Sequence, residues 1–183
     1  MADTSTLDTA KTGSVLTGER ADLLAQLAKV RHFLRFTVRD LSDQQLALRP
    51  TPSELCLGGL IKHVTSVERG WANFILEGRS AMKDFDDMTE EDFARRADEF
   101  RMLPGDTLAG ILAAYAEAAA RTDDIVATAT DLDASLELPS APWSEDTHWS
   151  VRQVLLHIIA ETAQHAGHAD IIREAIDGSK TMG

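Results

Sequence analysis

A single cysteine, Cys56, is all the thiol this chain has, so an internal disulfide framework and a metal site built of cysteines alone are both excluded. One free thiol fits a reducing compartment. Basic residues are also scarce: 18 Lys and Arg stand against 30 Asp and Glu, a formal charge of −12. Proteins hold nucleic acid by neutralising phosphates with Lys and Arg, so this balance argues against a nucleic-acid partner, and equally against an anionic membrane surface. No apolar run reaches the roughly 20 residues needed to cross a bilayer. The opening "MADTSTLDTAKTGSVLTGER" lacks the apolar core of a signal peptide. We therefore expect a cytoplasmic protein with no membrane and no nucleic-acid partner.

Aromatic residues are few, with one Tyr, and Ile–Val runs are rare, whereas Ala, Leu, Asp, Glu and Arg are plentiful. Such residues lose little side-chain freedom in a helix, so the balance favours helix over sheet. The length suits one well-buried core. Composition divides the chain into a loose N-terminal arm, 1–17, a single domain, 18–178, and a tail, 179–183.

Within the domain, Leu23, Leu27, Val30, Leu34, Val38 and Leu41 recur at three- and four-residue steps, which predicts a first amphipathic helix from Glu19. Pro50 and Pro52 break the chain. A second helix is expected from 53–57 to Leu76, stopping at Gly78. Residues 79–103 are strongly charged. "MTEEDFARRADEF" within them predicts a short extra helix capped by Thr89, and "DFDDMTEED" reads as a solvated acidic stretch without the central Gly of a calcium loop. Asp106 is expected to cap a third long helix. "LPSAPWSEDTHWS" reads as a loop, and Ser150 as the cap of a fourth long helix ending at Gly178. No segment reads as a strand. The fold expected is all-α, a four-helix bundle with long connections and one short extra helix between helices two and three.

The fourth helix carries "HIIAETAQHAGHAD", with three histidines and two acids in fourteen residues. Residues four apart lie one turn above each other, so His157, Glu161 and His165 project along one line. Two ligands at that spacing can reach one metal ion from a single helix. The line is too long for all three, because His157 and His165 are about 12 Å apart in rise. The pair is therefore His157 with Glu161 or Glu161 with His165, and spacing does not choose between them. A third ligand must come from another helix, and His63, beside the apolar stripe of helix two, is the candidate. The bland alternative is a polar helix face and a hydrogen-bonded histidine. His32 is expected to face solvent, His148 to lie in a loop, and Cys56 to be a small packed residue. Gly58 and Gly59 lack the flanks of a phosphate-binding loop.

Three stretches, "DTHWSVRQVLLHIIAETAQHAGHADIIREAIDG", "GGLIKHVTSVERGW" and "LSDQQLALRPTPSELCLGGL", resemble the DinB-like superfamily of four-helix-bundle metalloproteins. The likeness is to its actinobacterial mycothiol-dependent branch, which includes maleylpyruvate isomerase, and it spans roughly residues 19–178. It implies one His from helix two and an i, i+4 pair from helix four. The family's second ligand precedes a short segment matched here by "HAGH", which falls on His165, and the first then falls on Glu161. The implied metal ligands are His63, Glu161 and His165, with His168, Asp170 and Arg173 as outer-shell or packing groups. His157 lies one turn too early. The resemblance also implies mycothiol as co-substrate and allows a homodimer.

Two imidazoles and a carboxylate leave a divalent ion with net positive charge and an open position. A thiol entering that position loses its proton and can attack an electrophile. Zinc suits this chemistry best, and nickel is compatible. The reading that follows is a metal-dependent thiol transferase or isomerase acting on a small electrophile. Its alternatives are a metal-dependent hydrolase using the same ligands and a metal- or ligand-binding stress protein without turnover.

Overall fold

A computed structural model describes residues 16–181. The expected arm lies outside them except for its last two residues, as do the final two residues of the tail. Four long helices dominate: α1 (Glu19–Phe36), α3 (Leu57–Glu77), α5 (Leu108–Thr128) and α6 (Val151–Asp177). Shorter helices, α2 (Asp43–Leu46) and α4 (Glu90–Glu99), lie in the connections, and among the described residues the fold is all-α apart from one small sheet. Helix α1 packs on α6 and α5, and α3 packs on α5, α6 and α4.

Local chemistry sets the helix ends. Ser150 opens α6 with a reciprocal capping box to Gln153, and Gly178 closes it at φ 78°, a conformation that favours glycine. Thr89 caps α4 through Asp92 in the same way. Asp106 does not cap α5. Thr107 does, its hydroxyl accepting from the Gly110 amide, while the Asp106 carboxylate accepts from the Leu103 amide and Lys62. Helix α1 ends at Phe36, short of the predicted stripe. Val38 and Leu41 stay buried because the chain turns back through Asp40, at φ 59°, and keeps them against the core.

Strand β1 (Ser135–Glu137) pairs antiparallel with β2 (His148–Ser150), which corrects the expectation of no strand. Three residues are too few to show a period of two, so the pairing left no pattern to read. The acidic stretch also needs correction. Asp92 is buried, bonded to Thr89 and Lys83, and Asp84 binds Arg79 and the Ser140 amide. Asp86, Asp87, Glu90 and Glu91 are exposed as expected.

Two apolar clusters fill the bundle. One is built around Leu34, Leu60, Ile61, Val64 and Ile172, the other around Leu27, Phe74, Val154, Leu155 and Ile158. Buried polar residues stand between the two on every long helix: Arg31 on α1, Thr65 and Glu68 on α3, Thr122 on α5 and Thr162 on α6. Arg31 donates to Glu68 through Nε and Nη2, to Asp123 through Nη1 at 2.7 Å, and to the Ala119 carbonyl at 3.4 Å. Burial opposes the Arg31 charge, but these acidic partners outweigh it and hold the pKa above its ordinary value. Burial, then the charge of Glu68, pushes the nearby Tyr115 phenol well above its usual range. A polar layer thus crosses the middle of the bundle.

Candidate metal centre

Helices α3 and α6 run antiparallel across the site, because His63 meets His165 at one end and Trp71 meets His157 at the other. The ring centroids are 4.9 Å and 5.0 Å apart. His63, Val67 and Trp71 form one row at four-residue steps, and His165, Glu161 and His157 form the facing row.

At the first end, His63, Glu161 and His165 each offer one ligand atom, and those atoms lie within 4.8 Å of one another. His165 Nε2 is 3.6 Å from Glu161 Oε2. Ligands bonded at about 2.0–2.2 Å lie at most roughly 4.4 Å apart, so a small inward movement closes the set around an ion. His63 is buried, at 3% exposure, while Glu161 and His165 are part-exposed, so the cluster opens outward from α3. Burial first, and then the neighbouring His63, holds the His165 pKa below its ordinary value. A neutral imidazole keeps the lone pair that a metal needs. The donor set therefore fits a divalent ion.

The other expected groups fall in different places. His168 Nδ1 is 3.4 Å from His165 Nδ1, the ring nitrogen other than the Nε2 that faces Glu161. Asp170 accepts from the Thr181 amide. Arg173 donates to the Thr37 and Arg39 carbonyls and pairs with Asp177, tying α6 to the end of α1. Asp170 and Arg173 thus spend their hydrogen bonds on packing. His32 and His148 are exposed. Cys56 is buried and caps α3, its sulfur accepting from the Gly59 amide.

His157 belongs to a different group. It contacts Trp71 and Trp149, which stack on each other at 5.2 Å, and burial among them lowers its pKa. The shift gives a pH prediction. An unfolded His takes up a proton as the pH falls through about 6.5, but the folded His157 waits for a lower pH. Between the two values the unfolded state holds more protons, so stability drops as the pH falls through that window. His157→Phe should lose less melting temperature than the parent between pH 7.5 and 5.5. Parallel loss in both proteins would show that His157 carries none of it.

Sequence reasoning missed two contacts on His63. Its Nδ1 lies 3.1 Å from Glu99 Oε2, and the Phe100 ring stacks on it at 4.0 Å. Glu99 also accepts from the Ser66 hydroxyl at 2.6 Å. Burial works against its charge, but the bonds from His63 and Ser66 prevail and its pKa falls below the usual glutamate value.

The mycothiol-S-transferase family matches residues 22–178, nearly the whole chain. The chain belongs to that family. Membership confirms the expected DinB-like, mycothiol-dependent relationship and points to mycothiol-dependent thiol transfer, with a small thiol as substrate. All three candidate ligands lie inside the matched mycothiol-S-transferase segment. Comparison with curated proteins gives no match. No helix among the described residues is long and apolar enough to cross a membrane.

Proposed function

We propose that this mycothiol-S-transferase family member is a metal-dependent enzyme that joins mycothiol to a small electrophile. His63, Glu161 and His165 hold one divalent ion, zinc by preference and nickel as the compatible second choice. The convergence of those three ligand atoms is the observation that carries the reading. When bound, the ion supplies the acidity that turns a thiol into its nucleophilic thiolate near neutral pH.

The chain's own groups do the rest. Glu161 contributes the one negative charge of the ligand set, so two neutral imidazoles leave a divalent site with net positive charge toward an incoming anion. Burial keeps His165 unprotonated at neutral pH. Glu161 and His165 are part-exposed, so the centre can be reached from the outer face of α6. The homodimer and the cytoplasmic location expected above form part of the same reading.

Metal content and thiol dependence test it together. Protein purified without chelator should carry one equivalent of zinc or nickel. Its melting temperature should rise with mycothiol and not with a desthiol analogue. Turnover of an electrophile should require the added thiol. Hydrolysis of an ester without thiol would instead assign the hydrolase alternative. Metal binding without turnover across a broad set of electrophiles would assign the stress-protein alternative.

A further inference from the structure

Glu99 ends α4, 36 positions along the chain from His63, and helix chemistry does not explain its presence there. A carboxylate in the last turn of a helix opposes the dipole and is mildly destabilising. The structure nevertheless fixes the backbone on both sides of it. Lys62 donates to the Asp98 carbonyl at 3.2 Å and to the Arg101 carbonyl at 2.8 Å. The Cys56 sulfur approaches the Phe100 carbonyl at 3.7 Å. Gly59 admits that carbonyl against the first turn of α3, where a Cβ would stand 2.1 Å from the oxygen. The start of α3 is thus shaped to receive the end of α4. What that docking delivers is a carboxylate on Nδ1 of His63 and an aromatic ring on its face.

We propose that Glu99 is a positioning residue for the metal centre. Its carboxylate accepts the Nδ1–H of His63, which fixes the tautomer that leaves the Nε2 lone pair for an ion, while Phe100 fixes the ring plane. Histidines that bind metals commonly donate their other N–H to a carboxylate, which sets tautomer and orientation and raises basicity. The inference rests on the proposed metal reading, but its first consequence needs no metal. Nitrogen NMR of the metal-free protein at pH 8 should show His63 protonated on Nδ1 in the parent and as a mixture of tautomers in Glu99→Ala.

The second consequence is affinity. Zn²⁺ titrated against a competing chelator should bind Glu99→Ala about 10–100-fold more weakly than the parent. Glu99→Gln should lose less, since its amide oxygen still accepts a hydrogen bond. Melting temperatures of the metal-free variants within a few degrees of the parent would show that the loss is not unfolding. Zn²⁺ affinity of Glu99→Ala within about twofold of the parent, or an unchanged His63 tautomer, overturns the proposal. So does loss from Glu99→Gln as complete as from His165→Ala, which would make Glu99 a ligand itself. A parent that binds no Zn²⁺ overturns the metal reading, and the tautomer shift alone then supports or overturns the hold of Glu99 on His63.

Discussion

Glu68→Ala is expected to destabilise the fold by about 3–5 kcal/mol, among the largest losses any single substitution here should give. Glu68 is fully buried, and the only side chain it pairs with among the described residues is Arg31, itself 3% exposed. Truncation leaves a guanidinium in a low-dielectric layer. Asp123, half exposed, cannot neutralise it as well. Removing both charges is a different experiment. Arg31→Met with Glu68→Leu fills the layer with apolar volume and should be near neutral, because the pair's mutual attraction roughly repays its desolvation. Urea unfolding of the parent, Arg31→Met, Glu68→Leu and their double variant measures the coupling directly, and Glu68→Ala is measured beside them. A Glu68→Ala loss below about 1 kcal/mol would mean that water reaches the layer and solvates Arg31.

Part of this layer was visible in the sequence. Arg31 falls four residues after Leu27 and three before Leu34, and Glu68 falls four after Val64, so both occupy positions on apolar stripes. A charge on a buried stripe requires a partner, and the opposite signs on two helices were a usable signal. The helix ends of α4 and α6 were legible because their caps are local: Thr89 with Asp92, Ser150 with Gln153. The same S-x-x-Q signal at Ser42 and Gln45 marks α2, which the proline-based reading passed over. Asp106 misled for a related reason. Two adjacent residues, Asp106 and Thr107, are both good caps, and the demand of Lys62 for a carboxylate, a tertiary effect, decided between them.

The candidate metal centre divides in the same way. The step of four from Glu161 to His165 is a property of one helix and could be read directly, while the choice of that pair over His157 with Glu161 came from the family resemblance. The geometry shows why the alternatives separate: antiparallel packing sets His63 against His165 and leaves His157 to Trp71, two turns away. Glu99 had no comparable signal. It sits in a run of charges whose periodicity is that of a solvated helix, and only the docking of α4 onto the Gly58–Gly59 start of α3 brings it to His63. Nothing local in the sequence encodes that approach.

His165→Ala should abolish stoichiometric metal, weakening Zn²⁺ binding by more than the roughly 100-fold that marks the upper end for an outer-shell partner. His165 is one of only two imidazoles in the cluster, and no other group among the described residues is placed to replace it: His168 reaches the ring from its Nδ1 side, and His157 is engaged with two tryptophans. Glu161→Gln should also weaken binding, because it removes the single negative charge while keeping an oxygen in place. His157→Ala is the decisive contrast. It lies on the same line of α6, so a metal held by His157 with Glu161 would be lost with it, whereas a metal held by His63, Glu161 and His165 would stay. Its cost should appear in melting temperature through lost aromatic packing, with metal content nearly unchanged. Metal analysis of the three purified variants reads the result without any assay of turnover. An empty His157→Ala beside a loaded His165→Ala would move the centre one turn toward the tryptophans and take His63 out of it.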